Sequence, residues 1–174
     1  MTRNFTVLIV ALLIAAVTPA DADAYTLTSD EGRFTVEMPD KPVFRRHRIH
    51  RARDGAVLES NEWRLDQIPM LTWMASFRDH LPTAGDVTVD MIFGRLLREL
   101  PASLDGDLRL FRYVERDGVE GLEIRIFVPR NRLVLRSQVF IVGKRQYTIS
   151  YVGPDGTEND ATVEDYLNSF QVLP

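Results

Sequence analysis

Two rhythms of apolar residues run along this chain, and the shorter one dominates. In "GRFTVEMPDKP" a turn opens a run where Phe34 and Val36 alternate with Thr35 and Glu37, which predicts a strand over residues 34–37. Pro39 and Pro42 stop it, because neither can donate to a ladder. Asp54-Gly55 and Asp117-Gly118 each sit between β-compatible runs, a strong hairpin signal because the tight primed turns need positive φ. They predict that residues 43–51 pair with 57–65, and 108–115 with 119–128.

The longer rhythm appears twice. In "TVDMIFGRLLREL" Val89, Ile92, Phe93, Leu96, Leu97 and Leu100 recur at helical spacing, with Thr88 or Asp86 as N-cap and Pro101 as the stop. In "TVEDYLNSF" the stripe is Val163, Tyr166, Leu167 and Phe170, opened by Thr162, with Asp165 favouring the orphan amides of the first turn. Each helix has one apolar face to bury.

The C-terminal strands form a meander whose register follows from matching apolar sets. Leu122, Ile124, Ile126 and Val128 share a face, as do Leu133, Leu135, Val139 and Ile141, and then Tyr147, Ile149 and Tyr151. All three sets meet if the first loop has two or four residues and the second is Gly143-Lys144-Arg145. The other face is then mixed: Phe127, Val134, Phe140, Val142 and Val152 are apolar, while Glu123, Arg125, Arg136, Gln138 and Ser150 are polar. A sheet with two such faces is covered on both sides, so the expected fold class is α+β, an antiparallel sheet flanked by helices. No repeat, low-complexity tract or linker divides the chain, and residues 25–174 read as one domain.

The N-terminus changes the setting. Arg3 precedes a mainly apolar run of thirteen residues, 5–17, followed by Pro19 and the Ala-x-Ala steps Ala20-Asp21-Ala22 and Ala22-Asp23-Ala24. The run is short of the roughly 20 residues that cross a bilayer, so residues 1–24 read as a signal peptide, with cleavage after Ala22 or Ala24. Cleavage after Ala24 removes one cation and two anions and moves the formal charge from −4 to −3. Cysteine is absent, which excludes disulfides, thiolate metal sites and the lipid-bearing Cys of a bacterial lipoprotein. The expected product is periplasmic or secreted, without a stable membrane anchor.

"YTLTSDEGRFTVEMPDKPV", "VEGLEIRIFV", "LRSQVFIVGKRQYTISYVG" and the closing "VEDYLNSFQVLP" resemble the secreted bacterial proteins of the PsbP-like group. That group shares its fold with a Ran-binding nuclear import factor of the Mog type. The likeness covers most of residues 25–174, and its motifs are structural: Gly121 before a strand, the Arg145-x-Tyr147 step after a Gly loop, and the helix ending in Ser169-Phe170. It implies an α/β/α sandwich around an antiparallel sheet and a role as an extrinsic binding or assembly subunit. It carries over no catalytic set.

The chemistry-bearing residues agree with that. The chain has no Gly-x-Ser-x-Gly elbow, His-Glu-x-x-His, Walker loop or dinucleotide fingerprint. His47 and His50 fall on opposite faces of a strand and cannot share a metal. Ser76, Asp79 and His80 are near in sequence, yet such neighbours rarely converge as a triad. The acidic loops at 105–107 and 155–160 lack calcium-loop spacing and read as turns. No metal site, cofactor or catalytic residue is expected.

Two charged places are candidates for contact. "FRRHRIHRARDG" spreads its arginines over both strand faces, without interleaved aromatics, in a chain of pI about 5.4, which argues against nucleic acid. It reads as a solvated, self-protecting sheet edge that Glu59 and Glu62 partly neutralise, with Arg46 and Arg48 as weaker candidates for an acidic partner or lipid headgroups. The second place is the polar end of the mixed face, where Arg125 is expected opposite Arg136, with Gln138 beside them. Glu123, diagonal to Arg136, compensates one of the two cations, so the remaining charge suits a small anionic ligand or a partner's carboxylate. The two function classes are therefore a non-catalytic binding or assembly module of the envelope or extracellular space, and, as alternative, a hydrolase using carboxylates such as Glu123.

Overall fold

A computed structural model describes residues 24–50, 57–67, 69–79 and 88–174, without the side chains of 49, 50, 57 and 58. The expected signal segment and the Asp54-Gly55 turn lie outside the described residues. Among the described residues, no helix is long and apolar enough to cross a membrane.

Seven strands form one antiparallel sheet. They are β3 (Val43–His50), β4 (Val57–Gln67), β5 (Leu71–Asp79), β6 (Asp107–Arg116), β7 (Val119–Val128), β8 (Leu133–Val142) and β9 (Arg145–Pro154). Their order is β3-β4-β5-β9-β8-β7-β6. A second sheet, in the order β1-β2-β10, contains β1 (Tyr25–Ser29), β2 (Phe34–Met38) and β10 (Gln171–Val172). Helix α1 (Val89–Leu104) follows β5, and α2 (Ala161–Asn168) follows β9 after a short 3-10 turn, Thr157–Asn159.

Both faces of the large sheet are covered, as the α+β reading requires. On one face Phe93 of α1 is buried against Leu122, Ile124, Ile126, Leu135 and Val139, flanked by the half-buried Leu96, Leu97 and Leu100. On the other, Leu27, Phe34, Val36 and Met38 of the small sheet meet Trp73, Phe77, Phe140, Tyr147, Ile149 and Tyr151. Val163, Tyr166, Leu167 and Phe170, the stripe expected of the closing helix, complete this larger core.

Turn chemistry explains most of the register and one of its departures from expectation. Asp117 and Gly118 both take positive φ, 49° and 77°, and set Arg116 opposite Val119 as expected. The loop between β7 and β8 has four residues, 129–132, which places Leu122 opposite Val139 and Arg125 opposite Arg136. The next turn is shorter than expected. Val142 pairs with Arg145, so the loop is Gly143-Lys144, with Gly143 at φ 58°. That difference of one residue turns β9 over. Tyr147, Ile149 and Tyr151 therefore share the face of Arg136, Gln138 and Phe140, while Ser150 and Val152 join the α1 side. The aromatic set has gone to the thicker core, where the small sheet and α2 surround it.

Three further boundaries differ from expectation. His50 stands opposite Val57, whereas a two-residue Asp54-Gly55 turn would set it opposite Glu59; Glu59 instead faces Arg48. Helix α1 is capped by Thr88, whose side chain accepts from the Met91 amide, but Pro101 does not stop it. A proline removes one donor, here the partner of the Leu97 carbonyl, and the helix continues to Asp105, whose left-handed conformation ends it. Helix α2 is entered through Asp160 rather than Thr162, and Glu164 lies in its first turn. Strand β5, absent from the sequence-based assignment, is central in the large sheet.

The residues on which the resemblance was read lie at the joint between the two sheets and inside the large one. Arg145 bonds Asp79 and the Glu31 carbonyl, and the Tyr147 hydroxyl donates to the Gly32 carbonyl at 2.9 Å, so both anchor the β1–β2 turn. Ser169 Oγ accepts from the Glu37 amide at 2.9 Å, and Phe170 packs on Phe34, Phe140 and Tyr147. Gly121 leaves space for Phe140, since a Cβ there would lie 2.5 Å from Phe140 Cδ1.

Candidate functional site

Strand alternation puts Arg125, Arg136 and Gln138 on the same face of adjoining strands, with Glu123 between them. The structure brings these four together beneath α2 and the 3-10 turn. Arg136 and Glu123 are fully buried, and Gln138 is nearly so.

The anion at this place comes from within the fold. Arg136 Nε donates to Glu123 Oε1 at 3.1 Å and Nη2 to Oε2 at 3.2 Å, a fork matched to a carboxylate. Its outer edge faces Glu164 of α2, with Nη1 2.6 Å from Oε1 and Nη2 3.1 Å from Oε2. Nη1 also donates to the Glu158 carbonyl at 2.8 Å, so each of the five guanidinium N–H groups has an acceptor. The expectation that Glu123 compensates one cation understates it. Glu123 also accepts from Arg125 Nε, Arg112 Nη2 and Gln138 Nε2, and Arg125 reaches Asn159 Oδ1 at 2.7 Å. No donor of Arg136 remains for an outside ligand.

The same geometry fixes the protonation states. Burial works to raise the Glu123 pKa, but the bonds from Arg136 and Gln138, the Arg136 charge and the Arg112 bond outweigh it and hold the group at about 2. Glu164 is also lowered, mainly through its bond to Arg136. Arg136 is raised: burial alone would lower it, and the two glutamates prevail. A carboxylate surrounded by three guanidinium groups is a permanent anion near neutral pH, unsuited to taking up and releasing a proton. Arg112 and Glu164, which complete the cluster, were missing from the sequence-based set. Arg112 could have been added from its place opposite Glu123 across the Asp117-Gly118 turn; Glu164 needed the tertiary docking of α2.

The other sequence candidates stay apart. Ser76 donates to the Thr148 carbonyl on the α1 side, whereas Asp79 pairs with Arg145 on the opposite face; His80 lies outside the described residues. His47 is exposed, with Nε2 3.8 Å from Glu62, and the side chain of His50 is not among those described. Asp105 ends α1 and Glu158 Oε2 accepts from the Gly156 amide at 2.8 Å, which is turn chemistry, whereas Asp155 makes a long-range ion pair with Arg109 of β6.

The described part of the basic stretch, residues 44–50, lies in β3, one edge of the large sheet. Arg46 reaches Glu31 at 2.7 Å and Asn61 at 2.8 Å, and Arg48 reaches Glu59 at 3.0 Å. The charges of Arg46 and Arg48 are thus met by neighbours while staying exposed. Strand β3 also exposes Val43 and Phe44 beside these arginines, whereas strand β6, the opposite edge, exposes two rings on one face. Phe111 and Tyr113 project on the α1 side with 54% and 57% of their surface exposed, and Met91 of α1 is 60% exposed. Leu108 and Val89 are also exposed, and Phe93 meets Tyr113 at 6.2 Å between ring centroids. A separate polar cleft of about 380 Å³ lies between the small sheet and α2, lined by Glu37, Asp165 and Ser169 among others.

No family model matches this chain, and no curated protein matches it. Among solved structures it is similar to the solution structure of cyanobacterial PsbP (CyanoP) from Synechocystis sp. PCC 6803. The TM-score is 0.56, over 87% of this chain and 94% of that one, at 12% sequence identity. The likeness shows a PsbP-like fold.

Proposed function

We propose that this protein is a non-catalytic binding or assembly module, exported after cleavage at Ala22 or Ala24, that recognises a partner protein through the β6 edge and the adjoining end of α1. The observation that carries the proposal is the contrast between the two edges of one sheet. On β3, arginines paired with acids protect the open backbone. On β6, Phe111 and Tyr113 present large rings to solvent on the α1 side. Aromatic and Met side chains around an accessible strand favour protein contact, because they bury much area at low entropic cost. The PsbP-like fold supports a binding role, and Glu123, the most strongly perturbed carboxylate among the described residues, is locked in ion pairs. The hydrolase reading therefore loses its best candidate.

Site-specific photo-crosslinking suits this chain, which has only two lysines, Lys41 and Lys144, for amine reagents. A benzophenone amino acid at position 113 is expected to trap one partner in the native envelope or secreted fraction, while the same group at position 45 on β3 traps none. Equal adducts from both edges, or adducts from β3 alone, would contradict the assignment.

A further inference from the structure

Arg78 differs from most arginines described in the large sheet, because it is half-buried and bonds no carboxylate among the described residues. It projects from β5 on the α1 side, flanked in register by Ser60 of β4 and Gln146 of β9. Its side chain is half-buried. Nη2 donates to Gln146 Oε1 at 2.9 Å, and the buried Gln146 is itself held by Thr148 Oγ1 at 3.1 Å. Its Nε is enclosed and has no acceptor, and among the described residues no carboxylate bonds the group. Arg46, Arg48, Arg64, Arg109, Arg136 and Arg145, by contrast, each hold an acidic side chain. Arg116 also has an enclosed Nε, but its Nη2 lies against the Leu167 carbonyl and Asn168 at the C-terminal end of α2, where a cation is favoured.

The surroundings of Arg78 add positive charge. Burial lowers its pKa, and the charge of Arg95 on α1 lowers it further. Arg95 is exposed and shares Glu99 at 2.7 Å, an acid one helical turn away on its own surface. Withdrawing a guanidinium from water without an anion is costly, and a second cation alongside adds to that cost. A neutral amide orients the group and leaves its charge unmet.

We propose that Arg78, oriented by Gln146 and assisted by Arg95, forms a binding site for a small oxyanion, a carboxylate or phosphate group. The site is on the α1 face of the sheet at β5 and β9, away from the Glu123 cluster, and it is independent of the β6 contact. The ligand meets the solvent-facing edge of the Arg78 guanidinium, while Arg95 turns from Glu99 or shares it. Planar fork geometry makes both oxyanion classes suitable, and chloride is a poorer match.

The test is a titration of the mature chain followed by the arginine Nε–H resonances in ¹H–¹⁵N spectra, because the enclosed Arg78 Nε–H exchanges slowly and reports on its own charge environment. Inorganic phosphate and succinate are added in parallel, against sodium chloride at equal ionic strength. The expected result is a saturable shift of the Arg78 signal with at least one oxyanion, absent with chloride, and weakened about tenfold in Arg95→Gln. Stronger binding of phosphate or of succinate distinguishes the two classes. Arg95 is exposed, so its variant keeps the fold, and Arg78→Gln serves as the null if it folds. Shifts no larger than those of chloride, or equal affinity in Arg95→Gln, would overturn the proposal.

Discussion

Glu123 shows how far a single position can be read from sequence. Its place on the face of Arg125, Arg136 and Gln138 follows from alternation and a turn of the right parity, and that much was legible. Its burial and its partnership with Arg112 and Glu164 were not, because they depend on where α2 lands. The consequence is a stability device with a defined pH range. The folded-state pKa lies at about 2, below the ordinary 4.5, so the group contributes stability that is fully present above the unfolded value and lost as pH falls through the folded one. Unfolding in urea at successive pH values is therefore expected to show stability falling from about pH 4.5 toward pH 2, by about 3 kcal/mol for this group. Glu123→Gln should remove that acid dependence and cost about 3–5 kcal/mol at neutral pH, since it leaves Arg136 buried against a neutral amide. A variant as stable as the parent, or an unchanged acid limb, would show that the ion pairs do not hold α2 to the sheet.

At the scale of elements, legibility followed local signals. The Asp117-Gly118 hairpin, the α1 stripe and the buried face of α2 each carried their own pattern, and the structure contains them. The β8–β9 turn did not. Both strands of β9 parity are partly apolar, and the choice between them was made by the thicker core rather than by the turn residues. Strand β5 shows the same limit, since Trp73, Ala75 and Phe77 alternate in sequence but nothing local says that β9 will pair with them. Strand β3 is an element whose role was visible in its charges. Replacing Arg46 and Arg48 together with Ser is expected to cost little stability, about 1 kcal/mol or less per exposed pair, but to raise aggregation in light scattering as the edge loses its protection. A double variant that stayed monodisperse and lost a native partner would transfer the contact surface from β6 to β3.

For the whole molecule, the two layers around the large sheet have unequal tasks. The small sheet and α2 seal an aromatic core and lock the ionic cluster, whereas α1 covers its face partially and leaves rings on β6 in water. The PsbP-like architecture was legible from motifs that turn out to lie at the joint between the two sheets and inside the large one: Gly121, Arg145, Tyr147, Ser169 and Phe170. The contact edge was not, because the outward direction of Phe111 and Tyr113 matters only once β6 is known to be outermost. The proposed division of labour is that this edge binds a protein partner while the Glu123 cluster serves the fold. Its most direct test is the affinity of the photo-crosslinked partner for the parent chain and for Phe111→Ser combined with Tyr113→Ser, with thermal unfolding as the control. The account predicts an unchanged unfolding midpoint and affinity weakened at least ~30-fold, the scale of a lost aromatic hot spot. Affinity retained within about threefold in the folded double variant would contradict it.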